Sequence, residues 1–135
     1  MKKEYISYTE KLGEIGEKIQ KAADVFGEVS KMSTHDTEGV KSKYNSLVKA
    51  NGGYEQCKQD LRNLVCPLVV ENEHNELIKA VQMLIDSVNV MLSAINIEKE
   101  SLDAEKLEIG FSLQKEAVFL AEHITNKMVY KFRNY

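Results

Sequence analysis

Apolar residues recur along this chain at the spacing of an α-helix. In the first stretch they fall at Tyr5, Tyr8, Leu12, Ile15, Ile19, Ala22, Phe26 and Val29, in alternating steps of three and four. That spacing lines one face of a helix. Charged residues, among them Glu10, Lys11, Glu14, Glu17, Lys18 and Lys21, occupy the positions between. Gly13, Gly16 and Gly27 interrupt the pattern. Each costs about 1 kcal/mol against alanine in a helix interior, so this helix depends on packing for its stability. Gly16 and Ala23, seven apart, form a small-residue strip where a neighbouring helix is expected to approach closely. "KMSTHDTEG" closes the segment, with Thr34 and Asp36 as expected caps for the next helix.

The second line runs Val40, Tyr44, Leu47, Asn51, Tyr54, Lys58, Leu61, Val65 and keeps its phase across "NGG". Two arrangements fit. Asn51-Gly52-Gly53 can end one helix in a left-handed cap and begin another. Alternatively, one helix continues through, and the glycine pair costs about 2 kcal/mol. The preserved phase favours continuity, with or without a kink. Pro67 then stops the helix, because the residue before proline is pushed out of helical geometry.

The third line is the most apolar. Leu77, Val81, Leu84, Val88, Met91 and Ile95 form its stripe, and Ile78, Ile85 and Leu92 widen it. Small residues recur every seven positions at Ala80, Ser87, Ala94 and Ser101, and polar ones at Gln82, Asn89 and Asn96. Residues 80 to 97 approach the hydropathy of a membrane span, but the ordered polar strip argues against one. A helix with this coverage is either the centre of a bundle or also faces a second subunit. The fourth line, Leu107, Phe111, Gln114, Val118, Ala121, Thr125, Met128, Phe132, starts after a cap at Ser101 or Asp103. Leu113, Leu120 and Ile124 broaden it, and Lys127, Lys131 and Arg133 complement the dipole at its end. Four segments of about 28 residues with short connections predict an all-α, antiparallel four-helix bundle about 40 Å long. The count becomes five helices if the second breaks at Asn51 to Gly53.

Composition agrees with one domain spanning residues 1–135. Hydrophobic residues make up 43% and charged ones 29%, ordinary values for a globular chain. One proline and seven glycines are too few for a many-stranded β fold. A net charge of −3 with mixed signs gives no expectation of nucleic-acid or anionic-membrane binding, since both need a concentrated positive field. The opening "MKKEYISYTEKLGEIGEK" has no apolar signal core, so a cytoplasmic location is expected for the chain as given. Export or envelope anchoring becomes the expectation if the opening Met replaces a removed signal.

Candidate chemistry is sparse. Cys57 and Cys66 on one helix stand about 13.5 Å apart along the axis, too far for a disulfide and outside zinc-ligand spacing. His35, His74 and His123 make no helical ligand pair. Glu71 and His74 form one Glu-x-x-His, whereas a carboxylate-bridged di-metal bundle needs two, plus core glutamates. Glu71, Glu73 and Glu76 more simply suit a helix N-terminus. No GxSxG, HExxH, Walker loop or GxGxxG is present, and "GEIG" lies inside a helical pattern. "NKMVYKFRNY" mixes basic and aromatic residues, a combination that can bind single strands. A helix end with its usual cations explains it better, and Tyr130 and Tyr135 suit a protein contact. No catalytic, cofactor or metal residue is nominated.

"LRNLVCPLVVENEHNELIKAVQMLIDSVNVMLSAI" resembles a pattern in uncharacterised helical proteins of Gram-positive bacteria, some exported as lipoproteins. Leu64, Pro67, Glu71, His74, Leu77 and Val81 carry the likeness, over about a quarter of the chain. Pro67-Leu68 stands where such proteins usually have two prolines. The resemblance implies a binding or structural role at the cell envelope and assigns no functional residue. Together these readings lead to a non-enzymatic interaction or structural module. Its expected partner is a protein, including a second copy docked through the third or fourth helix. The alternative is a bundle holding a small apolar ligand or metal between its helices. Asn51, Lys58, Gln114 and Thr125, polar residues at core-phased positions, motivate that alternative.

Overall fold

The computed structural model describes residues 2–31 and 37–134. Four long helices dominate it: α1 (Lys3–Lys31), α2 (Thr37–Asn63), α3 (Glu71–Ser93) and α4 (Ala104–Arg133). A short 3-10 turn, Leu68–Val70, precedes α3, and a hairpin of β1 (Ile95–Asn96) and β2 (Ser101–Leu102) joins α3 to α4. The helices pack in chain order, α1 on α2, α2 on α3 and α3 on α4, with α3 and α4 closest and α1 and α4 making few close approaches. The all-α bundle expected from periodicity is therefore the observed fold.

Helix α2 runs unbroken through Gly52 and Gly53, and neither glycine has a positive φ. A Cβ on Gly53 would touch that of Ala22 at 3.4 Å, so this residue sits against α1. The helix ends at Asn63, four residues short of Pro67, and Val65 therefore leaves the apolar line and is 88% exposed. The caps expected at Thr34 and Asp36 lie outside the described residues. At α4 the cap is Asp103, whose side chain accepts from the Lys106 N–H at 3.1 Å.

Residues 80 to 97 owe their apolarity to position. Helix α3 is the central rod, and Ala80, Val81, Leu84, Ser87, Val88 and Met91 are all fully buried. The small-residue strip at every seventh position accounts for the close α3–α4 seam. Ser87 donates to the Leu84 carbonyl at 2.6 Å and, at 3.4 Å, to the Gln114 side-chain oxygen on α4. Gly110 lies opposite: a Cβ there would come within 2.4 Å of Met91 Cγ and 3.0 Å of the Ser87 carbonyl oxygen. The buried line of α4 is accordingly shifted from the expected one. Gly110, Ala117 and Ile124 are buried, while Phe111, Val118 and Thr125 are only partly covered.

The last member of the α3 stripe also departs from expectation. Ile95 is buried but belongs to the hairpin, where it pairs with Leu102, and the Asp103 N–H closes the turn onto the Ala94 carbonyl at 2.8 Å. Two-residue strands are too short to leave an alternating pattern in sequence. The strip predicted at Gly16 and Ala23 is likewise corrected. A Cβ on Gly16 would meet nothing within 4 Å, and no helix approaches it.

Two glycines thus have opposite roles. Gly110→Ala is expected to destabilise the fold by about 1–3 kcal/mol, because Met91 can swing aside but the Ser87 backbone cannot. Gly16→Ala is expected to stabilise it by about 0.5–1 kcal/mol, since the helix gains propensity without a clash. Urea unfolding of both variants measures the difference in sign.

Candidate functional site

An apolar concavity follows from the open seam between α1 and α4. Leu12, Gly13, Ile15, Gly16 and Ile19 supply one wall, and Val118, Ala121, Thr125 and Val129 the other, with buried Leu77 of α3 as floor. The cavity measures about 470 Å³, within the usual range for small-ligand sites. Gly13 and Gly16 create much of this space, because neither position has any neighbour where a Cβ would lie. Gln20, Glu122 and Asn126 edge the groove with polar groups. Thr9 and Thr125 also line it, but their hydroxyls donate to the Tyr5 and Ala121 carbonyls of their own helices. Further along the seam, a second cavity of about 580 Å³ lies between Phe26 and the first turns of α4, around Leu107 and Phe111. The outer side of α4 carries Phe119, 72% exposed, and Tyr130, 69% exposed.

Aromatic residues close the seam at its base. Phe132 of α4 meets Tyr5 at 5.2 Å and Tyr8 at 5.8 Å between ring centroids, the second pair edge-on. Beneath them lies a buried polar cluster. The Tyr8 hydroxyl lies 2.6 Å from His74 Nδ1, and His74 Nε2 lies 2.9 Å from the Leu61 carbonyl oxygen. A carbonyl can only accept, so Nε2 carries the proton and Nδ1 accepts from Tyr8. Burial favours this neutral form and holds the ring's pKa below the ordinary 6.5 against the opposing pull of the Leu61 bond. Glu73 pairs with Lys131 at 2.5 Å, and the lysine also donates to the Val69 carbonyl at 3.4 Å. Burial pushes the Glu73 carboxyl up, but the Lys131 hydrogen bond, its own backbone N–H and the charges of Lys131 and Lys127 hold it below the usual range.

Burial works against ionisation of the Tyr8 hydroxyl and of both thiols. Burial, then the nearby Cys66 thiol, drives the Tyr8 hydroxyl far above its normal pKa. Burial and then Asp60 push Cys57 up to about 11, and burial also raises Cys66. A nucleophilic cysteine needs the opposite shift. Both cysteines are free thiols: Cys57 donates weakly to the Ile15 carbonyl at 3.9 Å and Cys66 to that of Pro67 at 3.3 Å.

The candidate residues read from the sequence do not converge. Glu71 is exposed while His74 of the same motif is buried, and His123 is exposed on α4. His35 and Tyr135 lie outside the described residues. Among the described residues, no three His, Cys, Asp or Glu side chains gather in a way that could hold a metal ion. The polar residues in core phase find partners within the chain. Asn51 donates to Asn89 at 3.2 Å, Lys58 to Gln82, and Thr125 and Gln114 bond as described above. The Asn51 side-chain oxygen, the Tyr54 hydroxyl and one Glu73 oxygen remain buried without a hydrogen-bond partner.

Two features escaped the sequence reading. His74 did leave a signal: stepping back from Leu77 by three and then four gives His74 and Val70, both buried. The Glu73–Lys131 pair left none, being 58 positions apart. Compared with family models, curated proteins and solved structures, the chain matches none.

The His74 environment sets a pH dependence. Its folded pKa lies below the unfolded 6.5, so below that pH the unfolded chain binds the extra proton first and stability falls on acidification. Thermal unfolding from about pH 7.5 to about 5.5 is expected to show this loss. His74→Gln is expected to flatten the profile in that window.

Proposed function

We propose that this chain is a non-catalytic interaction module that pairs with a second copy of itself through the α1–α4 groove. The open seam carries the reading: two helices of one bundle leave an apolar trough where Gly13 and Gly16 project no side chain. Exposed Phe119, on the outer face of α4, is a large ring available to fill that trough in the partner copy. Burying such a ring contributes about 1.5–3 kcal/mol. Helix α3, by contrast, is not the contact helix, because its apolar face is already covered by α2 and α4 and it has no exposed large apolar residue. The protonated state of both thiols supports a role without covalent chemistry. Such a module would suit the envelope role that the resemblance of residues 61–95 implies.

A small apolar ligand in the same groove is the second reading, favoured by its volume of about 470 Å³. Native mass spectrometry that finds ligand-free monomers or dimers only would remove it.

Sedimentation over a range of concentrations tests the first reading. Native protein is expected to dimerise, and either Phe119→Ser or Gly16→Leu is expected to weaken the dimer about 10-fold or more with helix content unchanged. A native chain that stays monomeric at every concentration defeats the proposal.

A further inference from the structure

We infer that the base of the bundle is a docking tip for the surface of an anionic phospholipid bilayer. This inference is independent of the groove. Among the described residues seven large apolar ones are exposed, and four of them, Ile6, Val65, Leu68 and Tyr130, belong to the base or the adjoining turns. Val65 and Leu68, 88% and 84% exposed, flank Pro67 at the convex corner between α2 and α3. The corner is held from below. Val70 is fully buried, its N–H donates to the Pro67 carbonyl at 3.1 Å, and Lys131 donates to the Val69 carbonyl. The two side chains therefore point outward from a supported turn.

Charge selects the occupant. Antiparallel packing brings the start of α1, the end of α2, the start of α3 and the end of α4 together at this base. Lys2, Lys3, Arg62, Lys131 and Arg133 gather there against Glu4, Glu71 and Glu73, and Glu73 is neutralised by Lys131. Residues 2–8, 61–74 and 128–134, which form this base, thus carry two net positive charges on a chain whose total is −3. The hairpin at the far end is acidic, with Glu98, Glu100, Asp103 and Glu105 against Lys99 and Lys106. The mixed charge that excludes a positive field along the sequence is sorted by the fold into a positive end. A protein pocket would need to be concave to accept this protruding pair, whereas a bilayer surface deforms around it. Apolar insertion combined with a basic rim is the recognised pairing for reversible attachment to anionic lipid. Among the described residues no helix is long and apolar enough to cross a membrane, so contact would be at the surface.

The chain has no tryptophan, so Leu68→Trp introduces a single reporter at the tip. With vesicles of equal parts phosphatidylglycerol and phosphatidylcholine at low salt, the full chain is expected to pellet and the introduced indole to shift its emission to the blue. Pure phosphatidylcholine vesicles are expected to bind at least 10-fold more weakly, as are anionic vesicles in about 0.5 M salt. Val65→Ser with Leu68→Ser is expected to reduce binding 10-fold or more, with helix content retained because both residues are exposed. Arg62→Gln with Arg133→Gln is expected to reduce it several-fold. Absence of pelleting with anionic vesicles overturns the proposal. So does pelleting that is insensitive to the tip substitutions or leaves the indole emission unchanged.

Discussion

The close approach of α3 and α4 is the constraint on which the rest of the bundle depends. Gly110 has no side chain, and Ser87 and Ala117 are small and fully buried, so the two helices nest at a distance that larger residues would forbid. This nesting makes α3 the centre, since α2 covers its other side. Interiors are packed to crystal-like density, so a gain in volume at this seam is felt by the whole pair. Helix α4 is then committed to α3, and little of its apolar surface is left to meet α1.

The two remaining features follow from that commitment. Helix α1 rests on α2 and reaches α4 mainly where Tyr5 and Tyr8 meet Phe132. Above that aromatic closure the seam stays open and forms the groove. At the closure, polar groups are buried together, with Tyr8, His74 and the Leu61 carbonyl forming a chain of hydrogen bonds through three helices. Such a network favours one register over its neighbours, because slippage would strand buried donors and acceptors.

Helix number, direction and the apolar centre were legible in the sequence because they are written in periods of three and four. Continuity through Gly52 and Gly53 was legible for the same reason: Leu47, Tyr54 and Leu61 kept phase across them. Which small residues mark a close contact was not. Gly16 and Gly110 look alike in one dimension, yet one faces open space and the other a neighbouring backbone. The choice depends on which helices are neighbours, information that lies in the pairing and not in any one segment. The hairpin was hidden by its brevity, and the Glu73–Lys131 pair by its separation along the chain. The charge of the base was hidden by averaging, because its contributors are scattered over four segment ends.

The aromatic closure has a bearing on motion. Helix α1 has one extensive neighbour and a fastening near its first turns, whereas α2, α3 and α4 form a continuous stack. Cooperative opening units follow such differences in support. The far part of α1, supported by α2 alone, is therefore the segment whose amides should exchange with solvent ahead of α3. In that sense α1 is a rod laid along α2 and fastened to α4 only near its first turns.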